Sequence, residues 1–471
     1  ILATTMFEAP FALGVVAAIG LPAMALGAAG LIVGRLESHY FALATLALAE
    51  IALLVAINWE SVTGGANGLL SAPPPAWLAT PEAKAVFAWA AAAAAAGAFH
   101  LFARSIGPER LALLRSQPIA AAAFGIDARR IRIAALAVGG AAGGLGGAAH
   151  SLAVGLVSPD IAAFKTMAAI LAVVIVGGRR SPVAAMALAI VVVWTPELLR
   201  FLEQTYLIVY GALLLMAILF LPNGLAGLFP RRRRRPAKAA SDPVQPSRAA
   251  AARPALTAHG LVRTFGGINA VGDVDLSLDA GTVTGLIGPN GAGKSTLLNL
   301  LNGLERPDAG DVRRTDGAAV GRTFQTALLA DDLTAFENVR AVAPSDAMAL
   351  AGLALVGLGD SAAKPAHMLS HRDLRFLEIA RAVSHGPATL LLDEPAAGLS
   401  PAEKTELAGL IRAIAASGVA VLVVEHDVPF LATLADRLIC MADGRIIAAG
   451  PPTEVTRAPA VVAAYLGTTA A

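Results

Sequence analysis

Long apolar runs confined to residues 1–229 constrain this chain more than any other feature. They are read at 11–34, 40–57, 85–103, 133–157, 166–178, 182–199 and 203–221. Several reach the roughly 20 residues that a helix needs to cross a bilayer. The short runs 166–178 and 182–199 read as spans or as re-entrant half-helices shielded by neighbours. Residues 254–471 have an ordinary globular mix, so the 56% hydrophobic content of the 471-residue chain comes from its first half. The expected fold is an all-α transmembrane bundle followed by a separate soluble domain. The small-residue stretch 139–147, "GGAAGGLGG", has apolar flanks and reads as a span where two helices approach closely in lipid.

Basic residues orient the spans. Arg104, Arg110, Arg115, Arg129, Arg130 and Arg132 place the 104–132 loop in the cytoplasm, and five arginines at 231–235 place the end of the last span on the same side. Arg35 and Arg179–Arg180 fall on cytoplasmic turns, while the loops after 57 and around 158–165 face outward and are poor in basic residues. Seven crossings on this scheme leave Ile1 outside. We therefore expect an odd number of further spans upstream or on another polypeptide. Glu50 lies inside the second apolar run, where an ionised carboxylate costs on the order of 2.5–3.5 kcal/mol. An interhelical hydrogen bond is expected for it, with a substrate contact as the alternative.

Residues 230–254, rich in Pro, Ala, Ser and Arg, read as a tether between the domains at 1–229 and 255–471. Beside a membrane span, the arginine run is suited to anionic lipid headgroups, and a net charge of +2 gives no ground for nucleic acid as a partner. The single cysteine, Cys440, excludes an internal disulfide and reads as a core thiol.

The soluble half contains a short apolar strand, "VTGLI", at 283–287. It is followed by Gly288, Pro289, Asn290, Gly291, Ala292, Gly293, Lys294 and Ser295, and then by leucines at helical spacing. Strand, glycine-rich loop and helix form the context of a phosphate cradle. Its backbone N–H groups and helix N-terminus bind phosphate, Lys294 reaches the β- and γ-phosphates, and Ser295 is a Mg²⁺ ligand. A second apolar run ends in Asp393–Glu394, the pattern of a buried parallel strand delivering acids to a sheet edge. Asp393 is expected in the Mg²⁺ shell and Glu394 beside the attacking water. A third run brings His426 to the same edge, Ser400 and Glu403 form a capping box around Pro401, and Asp443–Gly444 turns a hairpin.

These pieces, with "RTFQ" ending in Gln325 and "LSHRD" at 369–373, resemble in order the ATPase of ATP-binding cassette transporters, an α/β P-loop NTPase. "DEPAAGLSPAE" and "VVEHD" narrow the resemblance to branched-chain amino acid importers. "NWESVTGGANGL", "GLVSPD" and "PELLRF" resemble the permease of that same system. The resemblance implies that ATP and Mg²⁺ are the cofactors, with Thr296 completing the cradle and Phe265 stacking on adenine; a core phenylalanine is the rival reading of Phe265. It implies that Gln325 senses Mg²⁺ and that His426 contacts the γ-phosphate. Leu369, Ser370, His371, Arg372 and Asp373 would form the signature loop, acting on a partner subunit's nucleotide. Pro118, Ala121, Ala122 and Gly125 would belong to a coupling helix, although the glutamate often found before its Ala-Ala pair is missing.

Two departures stand out. Arg372 replaces the glycine of the signature loop, and the stretch from Gly310 to Gln325 is short. The resemblance further implies a second ATPase subunit, a second permease subunit and a periplasmic or extracellular substrate-binding protein, in a bacterial cytoplasmic membrane with the ATPase inside. Alternatives are a truncated ATP-binding membrane protein with impaired turnover, and an exporter half-transporter, for which the 104–132 loop is short.

Overall fold

The computed structural model describes residues 10–36, 38–178, 182–198, scattered positions between 211 and 224, 254–315 and 318–466. Most of the expected segment 203–221, Arg179–Arg180 and nearly all of the 230–254 tether lie outside the described residues. The apolar half contains α1 (Phe11–Val33), α2 (Ser38–Asn58), the two-residue strand β1 (Leu69–Leu70) and α3 (Pro81–Ile106). Two short helices follow, α4 (Pro108–Ser116) and α5 (Pro118–Ala123). Then come α6 (Ala128–Val154), β2 (Leu156–Val157), α7 (Phe164–Gly177) and α8 (Pro182–Leu198). Among the described residues, α1, α2, α3 and α6 are long and apolar enough to cross a membrane. They expose Leu13, Val16, Met24, Ile32, Tyr40, Trp89 and Leu101, a surface that suits lipid as solvent. The shorter α7 and α8 pack together through Val176, Leu188 and Val192.

Helices α1 and α6 meet where the sequence has least side chain. A Cβ added at Gly144 would lie 1.7 Å from the Ala18 carbonyl oxygen, and one at Gly140 would lie 2.4 Å from that of Pro22. Glycine holds a helix here because in lipid the backbone has no competing water to bond. Arg129 donates to the Leu31 carbonyl (3.1 Å) and Arg132 to that of Leu36 (2.9 Å), which satisfies orphan carbonyls at the end of α1 and beyond it. Strands β1 and β2 pair antiparallel, tying the two outward loops together, and the Ser71 hydroxyl donates to the Ser151 carbonyl at 2.8 Å. Glu50 departs from expectation: it is exposed on α2, and the expected interhelical hydrogen bond is not formed among the described residues.

The described residues divide into two compact units. One holds those up to Ser105 and the rest of the apolar half from Arg129; the other joins Ile106–Ala128 to the C-terminal half. In the second unit, β3 (Pro254–Phe265) and β4 (Ile268–Asp279) lead to β5 (Val283–Ile287) and α9 (Lys294–Asn302). Next come β6 (Ala309–Arg314), β7 (Val320–Arg322), α10 (Ala335–Arg340), α11 (Asp346–Leu355) and α12 (His371–Ser384). The chain continues through β8 (Thr389–Asp393), α13 (Pro401–Ala416), β9 (Ala420–Val424) and α14 (Val428–Leu434). It closes on the hairpin β10 (Arg437–Ala442) and β11 (Arg445–Gly450), followed by α15 (Pro459–Leu466).

The six-stranded sheet has the order β11-β10-β5-β9-β8-β7, parallel except for the β10–β11 hairpin. Strands β5, β8 and β9 are buried at every residue, the reason they read as unbroken apolar runs. A three-stranded antiparallel sheet, β4-β3-β6, lies beside it in the same unit. The capping box at α13 forms as expected, with the Glu403 carboxylate accepting from the Ser400 N–H at 2.8 Å. The β10–β11 turn places Asp443 and Gly444 at φ +47° and +76°, the left-handed pair that such hairpins require.

The α1–α6 contact yields a paired test. Gly144→Ala should cost about 1–3 kcal/mol as overpacking and lower the melting temperature of the detergent-solubilised protein. Gly143→Ala, where a Cβ meets nothing within 4 Å, should stay within about 0.5 kcal/mol.

Candidate active site

The parallel register brings the site together. Leu286 pairs with Val424, and Val424 pairs with Asp393, so the ends of β5, β9 and β8 lie level at one edge. Gly288 to Ser295 follow β5 there, and Gly288, Gly291 and Gly293 all have positive φ. A Cβ at Gly288 would meet the Met441 carbonyl oxygen at 2.2 Å, and one at Gly293 that of Ala270 at 2.1 Å. These two glycines are demanded by packing within the protein, whereas Gly291 borders open space. Asn290, Gly291 and Ser295 are exposed on the rim of the cradle, Pro289 and Thr296 are half-buried, and Ala292 is buried beneath it. Lys294 is buried, with its ammonium donating to the carbonyls of Gly288 (2.6 Å) and Pro289 (3.0 Å). Burial lowers its pKa, and the carboxylates of Glu394 and Asp393 oppose that shift.

Glu394 is gripped at both oxygens. His426 Nε2 lies 2.7 Å from Oε1, and the Gln325 amide donates to Oε2 at 3.1 Å. Its φ of +48° is left-handed, which for a non-glycine residue costs on the order of 1–3 kcal/mol and is held by the surrounding bonds. One of these runs from the Glu394 N–H to the Val424 carbonyl at 2.9 Å. Asp393 is buried beside Arg322, 3.9 Å away, and its backbone N–H donates to Thr323 Oγ1 at 3.2 Å. Burial raises the Asp393 pKa, and Arg322 works against it. Glu425, the residue after β9, accepts from the Ala396 N–H at 2.7 Å and so holds the turn after Glu394.

Phe265, at the end of β3, is exposed, with the Arg263 guanidinium 4.7 Å from its ring centroid. Its exposure rules out a core role and leaves a ring face for stacking. In the 369–373 loop, Ser370 caps α12 by accepting from the Asp373 N–H at 3.1 Å. His371 lies against Gly398, where a Cβ would come within 2.9 Å of its ring. Arg372 turns onto its own domain, contacting Asp373, Glu406 and the Phe376 ring. Leu369 packs partly buried on the domain core.

Residues 106–128 pack into this unit. Leu113, Ala120, Ala121, Ala123 and Phe124 join the core that contains Phe336, Leu353 and Leu377. Gln117 donates to the Leu329 carbonyl (3.1 Å), Arg110 to that of Ala341 (3.2 Å), and Asn302 to that of Ala123 (3.3 Å). Of the four coupling positions named from sequence, Ala121 is buried and Pro118 opens α5. Ala122 instead faces outward, and Gly125 makes an exposed turn at φ +75°. Beneath this segment α12 carries a buried charge cluster. Glu378 Oε1 accepts from the N–H groups of Phe324 (3.2 Å) and Leu328 (3.4 Å), flanking Gln325. Arg375 donates to the Phe324 carbonyl and Arg381 to that of Leu328, at 3.1 and 2.7 Å. The Arg381 guanidinium lies 5.3 Å from the Phe124 ring centroid.

Comparison with known proteins assigns each half of the chain to a family. Residues 1–218 match the model of the branched-chain amino acid transport system permease component, and 271–397 match that of ABC transporters. The high-affinity branched-chain amino acid transport ATP-binding protein LivG of Salmonella typhimurium is 35% identical over 251 residues, covering 46% of this chain and 98% of that one. The chain belongs to the branched-chain amino acid ABC transporter family. BraF of Pseudomonas aeruginosa, of the same description, is 34% identical over 252 residues with the same coverage. A solved ATP-binding cassette of an ABC transporter in its ADP conformation aligns at 28% identity and a TM-score of 0.42, covering 46% of this chain and 100% of that one.

This ABC transporter chain thus carries a permease component and an ATP-binding ATPase domain in one polypeptide, a membrane protein with its ATPase on the cytoplasmic side. Sequence reasoning missed several residues of its site. Arg322 opens the "RTFQ" motif, but nothing in that motif pairs it with Asp393. Glu378 and Arg381, three residues apart, look like an exposed helical pair. Tyr465 on α15 accepts a hydrogen bond from the Gly288 N–H at 2.9 Å, and nothing near it in sequence signals a phosphate loop.

Burial pushes the Glu378 pKa up to about 7, against the pull of Arg381 and Arg375. A carboxyl raised in the folded state contributes stability that is full below its ordinary value near 4.5 and is lost as pH rises through about 7. The melting temperature should therefore fall more steeply between pH 5 and 8 in the wild type than in Glu378→Gln, whose amide oxygen still accepts both N–H bonds. Parallel slopes would show that Glu378 stays ionised throughout.

Proposed function

We propose that this chain couples ATP hydrolysis to the import of branched-chain amino acids across the bacterial cytoplasmic membrane. The observation that carries the reading is the meeting of Lys294, Asp393, Gln325, Glu394 and His426 at one sheet edge, in a chain whose first half matches a permease model. Lys294 and the cradle N–H groups bind the β- and γ-phosphates, Phe265 offers its ring to adenine, and Thr296 continues the cradle into α9. Glu394 accepts the proton of the attacking water, and His426 and Gln325 hold its two oxygens in place. When substrate arrives, His426 also reaches the γ-phosphate.

The residues suit Mg²⁺ brought in with nucleotide. Among the described residues no cluster of three His, Cys, Asp or Glu is arranged to hold a metal unaided. An exposed Ser295 hydroxyl, the Asp393 carboxyl and the Gln325 amide would instead hold Mg²⁺ through a sparse set of oxygens, as suits an ion that arrives with phosphate. Bound there, the ion offsets the charge of the phosphates.

Two ATPase domains closing over two nucleotides need a second ATPase subunit, and the permease needs a second permease subunit. The signature loop, Leu369 to Asp373, serves the partner's nucleotide, while Pro118, Ala121, Ala122 and Gly125 belong to the segment that transmits its motion. A substrate-binding protein outside delivers the amino acid, and the basic tether lies on anionic lipid.

Glu394→Gln should leave ATP binding intact and lower turnover by about 10²-fold or more. Uptake of labelled leucine into proteoliposomes containing the full set of subunits should stop with it, and isoleucine and valine should compete in the active form. Leucine uptake that persists in Glu394→Gln would refute the ATP-driven reading.

A further inference from the structure

The signature loop carries an arginine where a phosphate needs close approach to backbone, and the structure shows where that arginine goes. Arg372 is the second residue of α12, at a helix N-terminus whose dipole disfavours a cation. Left unengaged, a guanidinium there would sweep the face that Ser370 and His371 present. It is instead engaged at every nitrogen. Nε donates to Glu406 Oε2 at 3.2 Å, Nη2 donates to Oε1 of the same carboxylate, and Nη1 donates to Asp373 Oδ1 at 2.7 Å. Its carbon centre lies 4.0 Å from the Phe376 ring centroid, one helical turn along α12. The two-pronged contact with Glu406 is the arrangement in which Arg–carboxylate pairs are strongest. Glu406 comes from α13, 34 residues further along the chain, so a second element holds the arginine against the flank of α12. No backbone strain accompanies the residue: positive φ among non-glycine residues occurs at Asp273, Glu394 and Asp443 among those described, and not at 372.

We propose that Glu406 is a positioning residue that holds Arg372 flat along α12, keeping the N-terminal face of that helix clear for the nucleotide bound by a partner ATPase domain. The loss of the loop glycine is thereby offset by a carboxylate on the next helix. The inference rests on the ATPase reading above and adds to it a residue that touches no nucleotide.

The test is a double-mutant cycle on the full chain in lipid nanodiscs, with kcat and KM for ATP measured separately and Lys294→Ala as the inactive control. Glu406→Gln should lower kcat at least fivefold with KM changed less than twofold, because the released side chain obstructs closure and not nucleotide capture. In an Arg372→Gly background, Glu406→Gln should have no effect, since nothing is left to restrain. An equal loss in both backgrounds would overturn the proposal by making Glu406 a merely structural residue. A gain in kcat on Glu406→Gln would overturn it in the other direction, showing that the guanidinium belongs on the phosphate. Absence of any Lys294-dependent turnover in the wild type would refute the ATPase reading itself and the inference with it.

Discussion

The site depends on one constraint, the parallel pairing that places β9 between β5 and β8. In a parallel sheet all strands end on the same side, so strand pairing alone brings loops far apart in sequence to one edge. Here the edge receives the phosphate cradle from β5, the acid pair from β8, His426 from β9 and Gln325 from beyond β7. Burial of both faces supplies the driving force for the sheet, and it is the same burial that desolvates Lys294 and Asp393. Stability and electrostatics are therefore linked: Lys294 and Asp393 are held among carbonyls and opposite charges, where water screens them poorly.

A second dependence runs through α12. One end of this helix carries the 369–373 loop, and its interior turns carry Glu378, Arg375 and Arg381. Those three residues bond the backbone on both sides of Gln325, and Arg381 also lies under Phe124. A buried charge left without a partner is expensive, so the cluster resists partial rearrangement. The loop bearing Gln325, the segment at 106–128 and α12 are thereby joined through a few short, directional contacts. This gives physical content to coupling within the ATPase unit: displacing any one of them strains bonds to the other two.

Much of the nucleotide site was legible because its signals are local. The cradle announces itself by glycines between an apolar strand and a leucine-spaced helix, and the acid pair by carboxylates ending an uninterrupted apolar run. The capping box at Ser400 and Glu403 and the turn at Asp443–Gly444 depend only on neighbours in the chain. What was not legible depends on distant partners. Tyr465 reaches Gly288 from 177 residues away. Glu378 and Arg381 have the composition of a solvated helical face, yet α12 is covered by core on that side. In the membrane half, desolvation demands a partner for Glu50 and the sequence suggests an interhelical hydrogen bond or a substrate contact, but α2 leaves it exposed. Ala122 was grouped with Ala121 on resemblance, although the helix turns the two onto different faces.

The sequence by itself determined which segments suit lipid and which suit a parallel sheet, and which residues form a glycine-rich loop between a buried strand and a helix. Those properties follow from hydropathy, side-chain spacing and backbone freedom, all carried by adjacent residues. Only the tertiary structure decided how these groups are held: Glu394 gripped at both oxygens, Ile106–Ala128 built into the core of the ATPase unit, and Arg372 bound to Glu406. The reason is that a side-chain pairing is set by which elements pack together, and packing is the product of the whole unit's burial. Arg372 shows the difference plainly. In sequence it is a glycine lost from a phosphate loop; in the folded chain it is a guanidinium with all its nitrogens engaged.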